Sequence, residues 1–198
     1  MNITPNAADC SNSHLAALLD CAADLFARFG FRKTSMYEVA RAAGISRQGL
    51  YLSFGNKEQL FKRVLAHSMN RQLSAAIEGL LRTENSLEVR LVDACNQWSG
   101  RCVGSLGPDI ADLLCAGSAL AGASIAEYDR QFETALAAVL AASPIAAHCA
   151  KAKTEIADLA RALHATARGL KQRCKTPDEF TKSMTAAVRF ACMPELKL

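Results

Sequence analysis

Eight cationic side chains crowd the N-terminal third of this chain. Between His14 and Leu65 stand Arg28, Arg32, Lys33, Arg41, Arg47, Lys57, Lys62 and Arg63, against only Asp20, Asp24, Glu38 and Glu58. The excess equals the formal net charge of the whole chain, +4, so the remainder is close to neutral. Clustered cations on a neutral body are the electrostatic footprint of a phosphate-binding head. The cysteines offer different chemistry. Cys95 and Cys102 are seven residues apart and share a helical face, about 10 Å from each other at the helical rise. That exceeds the roughly 7 Å that a disulfide spans between α-carbons, so Cys115 or a partner subunit would have to supply the second thiol. No CxxC spacing occurs, and most of the eight cysteines read as small core residues. The four histidines, His14, His67, His148 and His164, fall in no metal-binding spacing, and neither a glycine-rich phosphate loop nor a GxSxG elbow is present. No enzyme activity, metal or cofactor is expected.

The bulk composition limits what can position these groups. With 198 residues, 51% hydrophobic and 21% charged, the chain can bury a core as one large domain or as a small domain joined to a larger one. Aromatics are only 6% and alanine is abundant, a mixture suited to close-packed helices. No apolar run approaches the roughly 20 residues that span a bilayer. Met1–Ser13 is polar and lacks the pattern of a signal peptide, so a cytoplasmic location is expected.

Helical periodicity begins near His14, where Leu15, Leu18, Leu19, Ala22, Leu25, Phe26 and Phe29 form one apolar stripe ended by Gly30. Phe26, Phe29, Val39, Leu50 and Phe54 are expected in the core. Ser35 and Glu38 have capping-box spacing and open a short second helix. Gly44 supplies the left-handed turn that ends it. Ser46 caps a third helix running to about Phe54, and Asn56 with Gln59 opens a fourth that runs to about Leu81. Two short helices joined by a glycine turn and packed on a longer first helix make a helix-turn-helix.

The stretch from Gly30 to Leu60 then resembles the DNA-binding domain of the TetR family. Phe26, Gly30, Thr34-Ser35, Ala40, Ala43-Gly44, Ser46, Leu50-Tyr51, Phe54, Lys57-Glu58 and Leu60 stand in the family's order and spacing. Two positions depart from it: Ser53 stands where histidine is usual and Gly55 where proline is frequent. The resemblance implies that the third helix enters the major groove, with Arg47, Gln48 and Gly49 facing the bases. Arginine can pair both acceptors of guanine, and glutamine can pair adenine's donor and acceptor. It further implies phosphate contacts from Thr34, Ser46, Tyr51, Ser53 and Lys57.

Beyond Thr83 the pattern stays helical: Leu87 to about Val103, Ile110 to about Leu120, a small-residue stretch at Ala121–Ser124, a helix stopped at Ser143-Pro144, then about Lys151–Cys174 and Pro177–Cys192. The expected fold is all-α, with a flexible N-terminus (1–13), a helix-turn-helix head (14–61), a connecting helix (62–82) and a helical effector-binding and dimerisation domain (83–198). Cys95, Trp98, Cys102, Leu106, Leu114, Tyr128 and Phe132 are the candidate lining of an effector pocket. By the resemblance, the last two helices pair with their copies in a homodimer through Ile156, Ala160, Leu163, Ala167, Leu170, Met184, Ala187, Val188 and Ala191. The function implied is a transcription regulator, a repressor released from a palindromic DNA operator by a small apolar or amphipathic effector. The alternative is a thiol-based redox-sensing regulator using Cys95, Cys102 or Cys115.

Overall fold

Apolar residues at three- and four-residue intervals dictate a helical chain, and the computed structural model, which describes residues 7–104 and 110–192, is helical wherever it is regular. The elements are α1 (Ala7–Lys33), α2 (Met36–Ala42), α3 (Arg47–Phe54), α4 (Lys57–Leu81), α5 (Leu87–Trp98), a 3-10 turn (Gly100–Cys102), α6 (Ile110–Ala141), α7 (Ile145–Lys151), α8 (Ile156–Arg173) and α9 (Pro177–Ala191). Among the described residues no strand occurs, and no single helix is long and apolar enough to cross a membrane.

Several bounds differ from those expected. Gly30 sits at φ 79° and breaks the helical path, yet the chain turns helically again as far as Lys33. The helix expected to reach Val103 stops at Trp98, because Ser99 leaves the helical path and the chain tightens into the 3-10 turn. Cys95 and Cys102 therefore do not share one continuous α-helix. The break expected at Ala121–Ser124 is present, as a kink at Ala121 (φ −140°, ψ 17°) that joins two helical runs within α6.

The described residues form two units, those within 1–70 and 106–125, and those within 71–105 and 126–198. The core of the first unit contains Leu19, Ala22 and Phe26 of α1, Met36, Val39 and Ala40 of α2, Leu50 and Phe54 of α3, and Leu60, Phe61 and Val64 of α4. Fully burying one of these Leu, Val, Phe or Met side chains contributes about 1.5–3 kcal/mol. The rings of Phe26, Phe31 and Phe61 form a triangle, with Phe61 5.0 Å from each of the other two. Leu113, Ala116 and Leu120 of α6 pack on this core, so residues expected in the effector domain belong to the head. Phe29, expected inside, is 42% exposed beneath the Arg28 guanidinium.

In the second unit α9 packs against both α5 and α8. Ala160, Leu163 and Ala167 of α8 and Phe180, Met184 and Val188 of α9 are buried within the subunit, while Ile156, Leu170, Ala187 and Ala191 are not fully buried. Five of the nine residues expected at a dimer interface thus pack inside the subunit, and the outward side of α9 carries Lys182, Ala186, Arg189 and Phe190, the last 69% exposed. Arg189 is held to Glu88 of α5 by its Nε, 3.0 Å from both carboxylate oxygens.

Candidate nucleic-acid interface

Local hydrogen bonds set the geometry of the two short helices. Ser35 Oγ accepts the Glu38 amide at 3.2 Å, and Glu38 Oε2 accepts the Ser35 amide at 2.8 Å, completing the expected capping box. The hydroxyl and amide of Ser35 together hold the Glu38 carboxyl below the ordinary glutamate range. Gly44 turns the chain at φ 68°, where Ile45 donates to Ala40 O at 3.0 Å. Ser46 Oγ then accepts the Gly49 amide at 3.0 Å and starts α3. Asn56 Oδ1 accepts the Gln59 amide at 2.8 Å and starts α4 in the same manner.

With Leu50 and Phe54 anchored in the core, the other face of α3 points outward. Arg47, Gln48, Tyr51, Leu52 and Ser53 are all exposed, Leu52 to 81%. The Arg47 guanidinium lies 5.5 Å from the centroid of the Tyr51 ring one turn on, an arrangement that pre-orders a planar cation on an aromatic face. On α2, Arg41 sits 5.9 Å from the ring of Tyr37, itself 57% exposed. Tyr37 was not among the residues expected at the DNA.

Four expected contacts have their groups engaged inside the protein. Thr34 is 2% exposed, and its hydroxyl donates to Gly30 O at 2.8 Å and Leu25 O at 3.3 Å. It caps the end of α1, which corrects its expected role at a phosphate. Gly49 has an intramolecular reason to lack a side chain, since a Cβ there would stand 3.1 Å from Ser46 Oγ. Ser53 donates to Gly49 O at 2.9 Å. Lys57 Nζ donates to Phe31 O at 3.1 Å and Arg32 O at 3.3 Å while resting 4.6 Å from the Phe31 ring centroid. Arg32 is bound from the other side as well, its amide donating to Asp112 Oδ2 of α6 at 2.7 Å. No sequence signal linked positions 32 and 112.

The candidate pocket lining is not assembled as expected. Cys95, Trp98 and Phe132 are buried core residues, with the Trp98 and Phe132 rings stacked at 5.3 Å. Trp98 Nε1 donates to His164 Nε2 at 3.2 Å. Tyr128 is half-buried. Leu114 is 60% exposed and belongs to the first unit. Leu106 and the Cys102 side chain lie outside the described residues. Burial also pushes the Cys95 thiol up to about 12, so it carries almost no thiolate near neutral pH and is a poor redox centre. Among the described residues, no three of His, Cys, Asp and Glu are grouped to hold a metal ion.

Comparison with known proteins converges on the same segment. Residues 18–64 match the family described as "Bacterial regulatory proteins, tetR family". Over 73 residues the chain is 34% identical to the "Uncharacterized HTH-type transcriptional regulator YfiR" of Bacillus subtilis (strain 168), covering 37% of this chain and 32% of that protein. Over 77 residues it is 36% identical to the "HTH-type transcriptional repressor ComR" of Escherichia coli (strain K12), covering 39% of this chain and 37% of that protein. The similarity thus spans about a third of the length of either relative. In fold, the chain is similar to the TetR family transcriptional regulator PfmR of Thermus thermophilus, with TM-score 0.61, 20% identity and coverage of 88% of this chain and 96% of that one. It is also similar to NalD, the secondary repressor of the MexAB-OprM multidrug efflux pump of Pseudomonas aeruginosa, with TM-score 0.58, 21% identity and coverage of 92% and 96%.

Proposed function

We propose that this chain, whose residues 18–64 match the family described as "Bacterial regulatory proteins, tetR family", is a sequence-specific DNA-binding transcription regulator. Its reading head is residues 14–61 with residues 110–125 of α6 packed on it, the connecting stretch is 62–82, and the effector-binding and dimerising body is the rest of the chain beyond residue 83. The observation that carries this reading is the orientation of α3. Leu50 and Phe54 fix one face in the core and leave Arg47, Gln48 and Tyr51 outward on a cationic head.

Arg47 and Gln48 read base edges in the major groove, Tyr51 and Ser46 contact phosphates, Ser53 reaches the backbone only by giving up its bond to Gly49 O, and Lys57 has a third N–H for it beside those to Phe31 O and Arg32 O. The protein acts as a homodimer on a palindrome, because two copies of one helix-turn-helix related by a two-fold axis read repeated half-sites. Its dimer contact is the outward side of α9, around Ala186 and Phe190. Repression is the sense of control favoured, since ComR and NalD are both named as repressors. An apolar or amphipathic small molecule releases the operator by preferring the conformation that does not bind DNA.

Selection of genomic fragments with the purified protein, followed by footprinting and a salt titration, tests this reading. Protection of a short palindrome with a steep salt slope is the expected result. Weak, sequence-blind binding at every fragment would overturn the assignment of α3 as a reading helix.

A further inference from the structure

The second unit contains a buried polar cluster that the DNA chemistry does not use. His164 of α8 is 2% exposed, and both of its ring nitrogens face carboxylates of α6. Nδ1 lies 2.8 Å from Glu133 Oε1, and Nε2 lies 3.3 Å from Asp129 Oδ1. The indole Nε1 of Trp98, from α5, is 3.2 Å from the same Nε2. Arg168, one turn along α8, places Nη1 3.6 Å from the other Asp129 oxygen. Asp129 and Glu133 are four residues apart, as are His164 and Arg168, so each pair shares a helix face. Phe132 stands edge-on to the imidazole at 5.4 Å and stacks on Trp98, closing the cluster with aromatic walls. Elsewhere on α6, Glu127 and Arg130 pair with each other. From α9 the buried residues are Phe180, Met184 and Val188, none titratable, and Arg101 of the 3-10 turn is exposed and bonded to Gln97.

A proton inventory gives this cluster two arrangements. A neutral imidazole has one donor and one acceptor, whereas an imidazolium has two donors. Charged, His164 donates to Asp129 and Glu133 together, and the Trp98 N–H is left to Asp129. Neutral, with its proton on Nδ1, it keeps Glu133 and accepts the Trp98 N–H at Nε2. Asp129 then retains Arg168, whose side chain is 66% exposed, a weaker partner in solvent.

We propose that His164 is a proton-operated clasp, tying α8 to both carboxylates of α6 as an imidazolium and, on losing its proton, letting go of Asp129 while its own Nε2 accepts the Trp98 N–H. The packing of α5, α6 and α8 within the second unit is thereby linked to pH. Burial acts to lower the His164 pKa, but the hydrogen bonds and charges of Asp129 and Glu133 outweigh it and leave it above the ordinary 6.5. A pKa raised on folding gives stability that is fully present below about 6.5 and lost as pH rises through the folded value.

Ring-nitrogen NMR of the full chain, from about pH 5.5 to about 9.5, tests the clasp directly, with His164→Gln used for assignment. The His164 ring is expected to titrate above 6.5, with the Trp98 indole N–H signal moving at the same midpoint. Asp129→Asn is expected to lower that midpoint. A His164 midpoint at or below the ordinary value, or an indole signal indifferent to it, would overturn the proposal. The gap in thermal midpoint between wild type and His164→Gln is further expected to be widest in mild acid and to close in alkali, and a gap independent of pH would also overturn it. Should His164→Gln fail to fold, assignment through Asp129→Asn and the wild-type titration decide alone.

Discussion

The ammonium of Lys57 donates to the carbonyl of Phe31 at 3.1 Å while lying 4.6 Å from the centroid of that residue's own ring. The first residue of α4 therefore seals the end of α1 by a charge-assisted hydrogen bond and a cation–π contact. A lysine so engaged has a structural role before it has any role at DNA.

That double duty separates two outcomes for Lys57→Met, which keeps the apolar stem and removes the charge. A lysine that only touches a phosphate would reduce the salt slope by about one unit and leave thermal stability unchanged. The expected result is a loss of about 1–2 kcal/mol in denaturant unfolding, together with a salt slope reduced by less than that unit. Unchanged stability would show that the contact with Phe31 is dispensable.

Thr34→Val keeps the shape of a buried side chain and deletes its hydroxyl, leaving the Gly30 and Leu25 carbonyls without that donor. Unsatisfied buried groups cost about 1–3 kcal/mol. The variant is expected to lower stability by this order while leaving the salt slope of DNA binding as in wild type. A lower salt slope with intact stability would restore Thr34 to the phosphate contacts.

Arg47→Ala is expected to cost about 1–3 kcal/mol at the preferred operator and to relax selection at one base pair. The Tyr51 ring also pre-orders the Arg47 guanidinium. Tyr51→Leu should therefore alter the Arg47-dependent preference as well as weaken backbone contact. Selection of random-sequence DNA by each variant measures this, and equal losses on all sequences would place Arg47 at a phosphate.

The head was legible in the sequence because its signals are local. Ser35 with Glu38, Gly44, Ser46 and Asn56 each specify a hydrogen bond or a left-handed turn within a few residues, and each occurs as read. The inward positions Phe26, Val39, Leu50 and Phe54 follow from helical period alone. Phe29 did not, because Gly30 interrupts the helix at the next residue. Distant partners left no trace: His164 meets Glu133 across 31 positions and Trp98 across 66, and Arg32 meets Asp112 across 80. The side of α8 and α9 that faces inward was equally hidden. Both faces carry alanine, and what chooses between them is the bulk of Leu163, Phe180 and Met184.

The capping box makes a prediction about acid. The Ser35 hydroxyl and amide lower the Glu38 pKa in the folded chain, so its contribution is present above the ordinary glutamate range and is lost as pH falls through the depressed folded value. Ser35→Ala, a change that typically costs about 1 kcal/mol at an N-cap, is expected to differ most from wild type near neutrality. The two unfolding curves should approach each other as the solution is acidified below the glutamate range. A difference that stays constant into acid would mean that the carboxylate takes no part in the cap.

The outward side of α9 can be set against its buried side by two substitutions. Phe190 is 69% exposed, whereas Val188, two residues earlier, is fully buried. Phe190→Glu places a charge where the proposed partner helix packs, and a charge in an apolar contact is expensive unless paired. The variant is expected to remain folded, to sediment as a monomer, and to lose operator affinity through loss of the two-fold arrangement. Val188→Ala, by contrast, should destabilise each subunit by an amount typical of core truncation, on the order of 1–3 kcal/mol, and leave the dimer of the folded fraction intact. If Phe190→Glu stayed dimeric in analytical ultracentrifugation, the contact would lie elsewhere on the body.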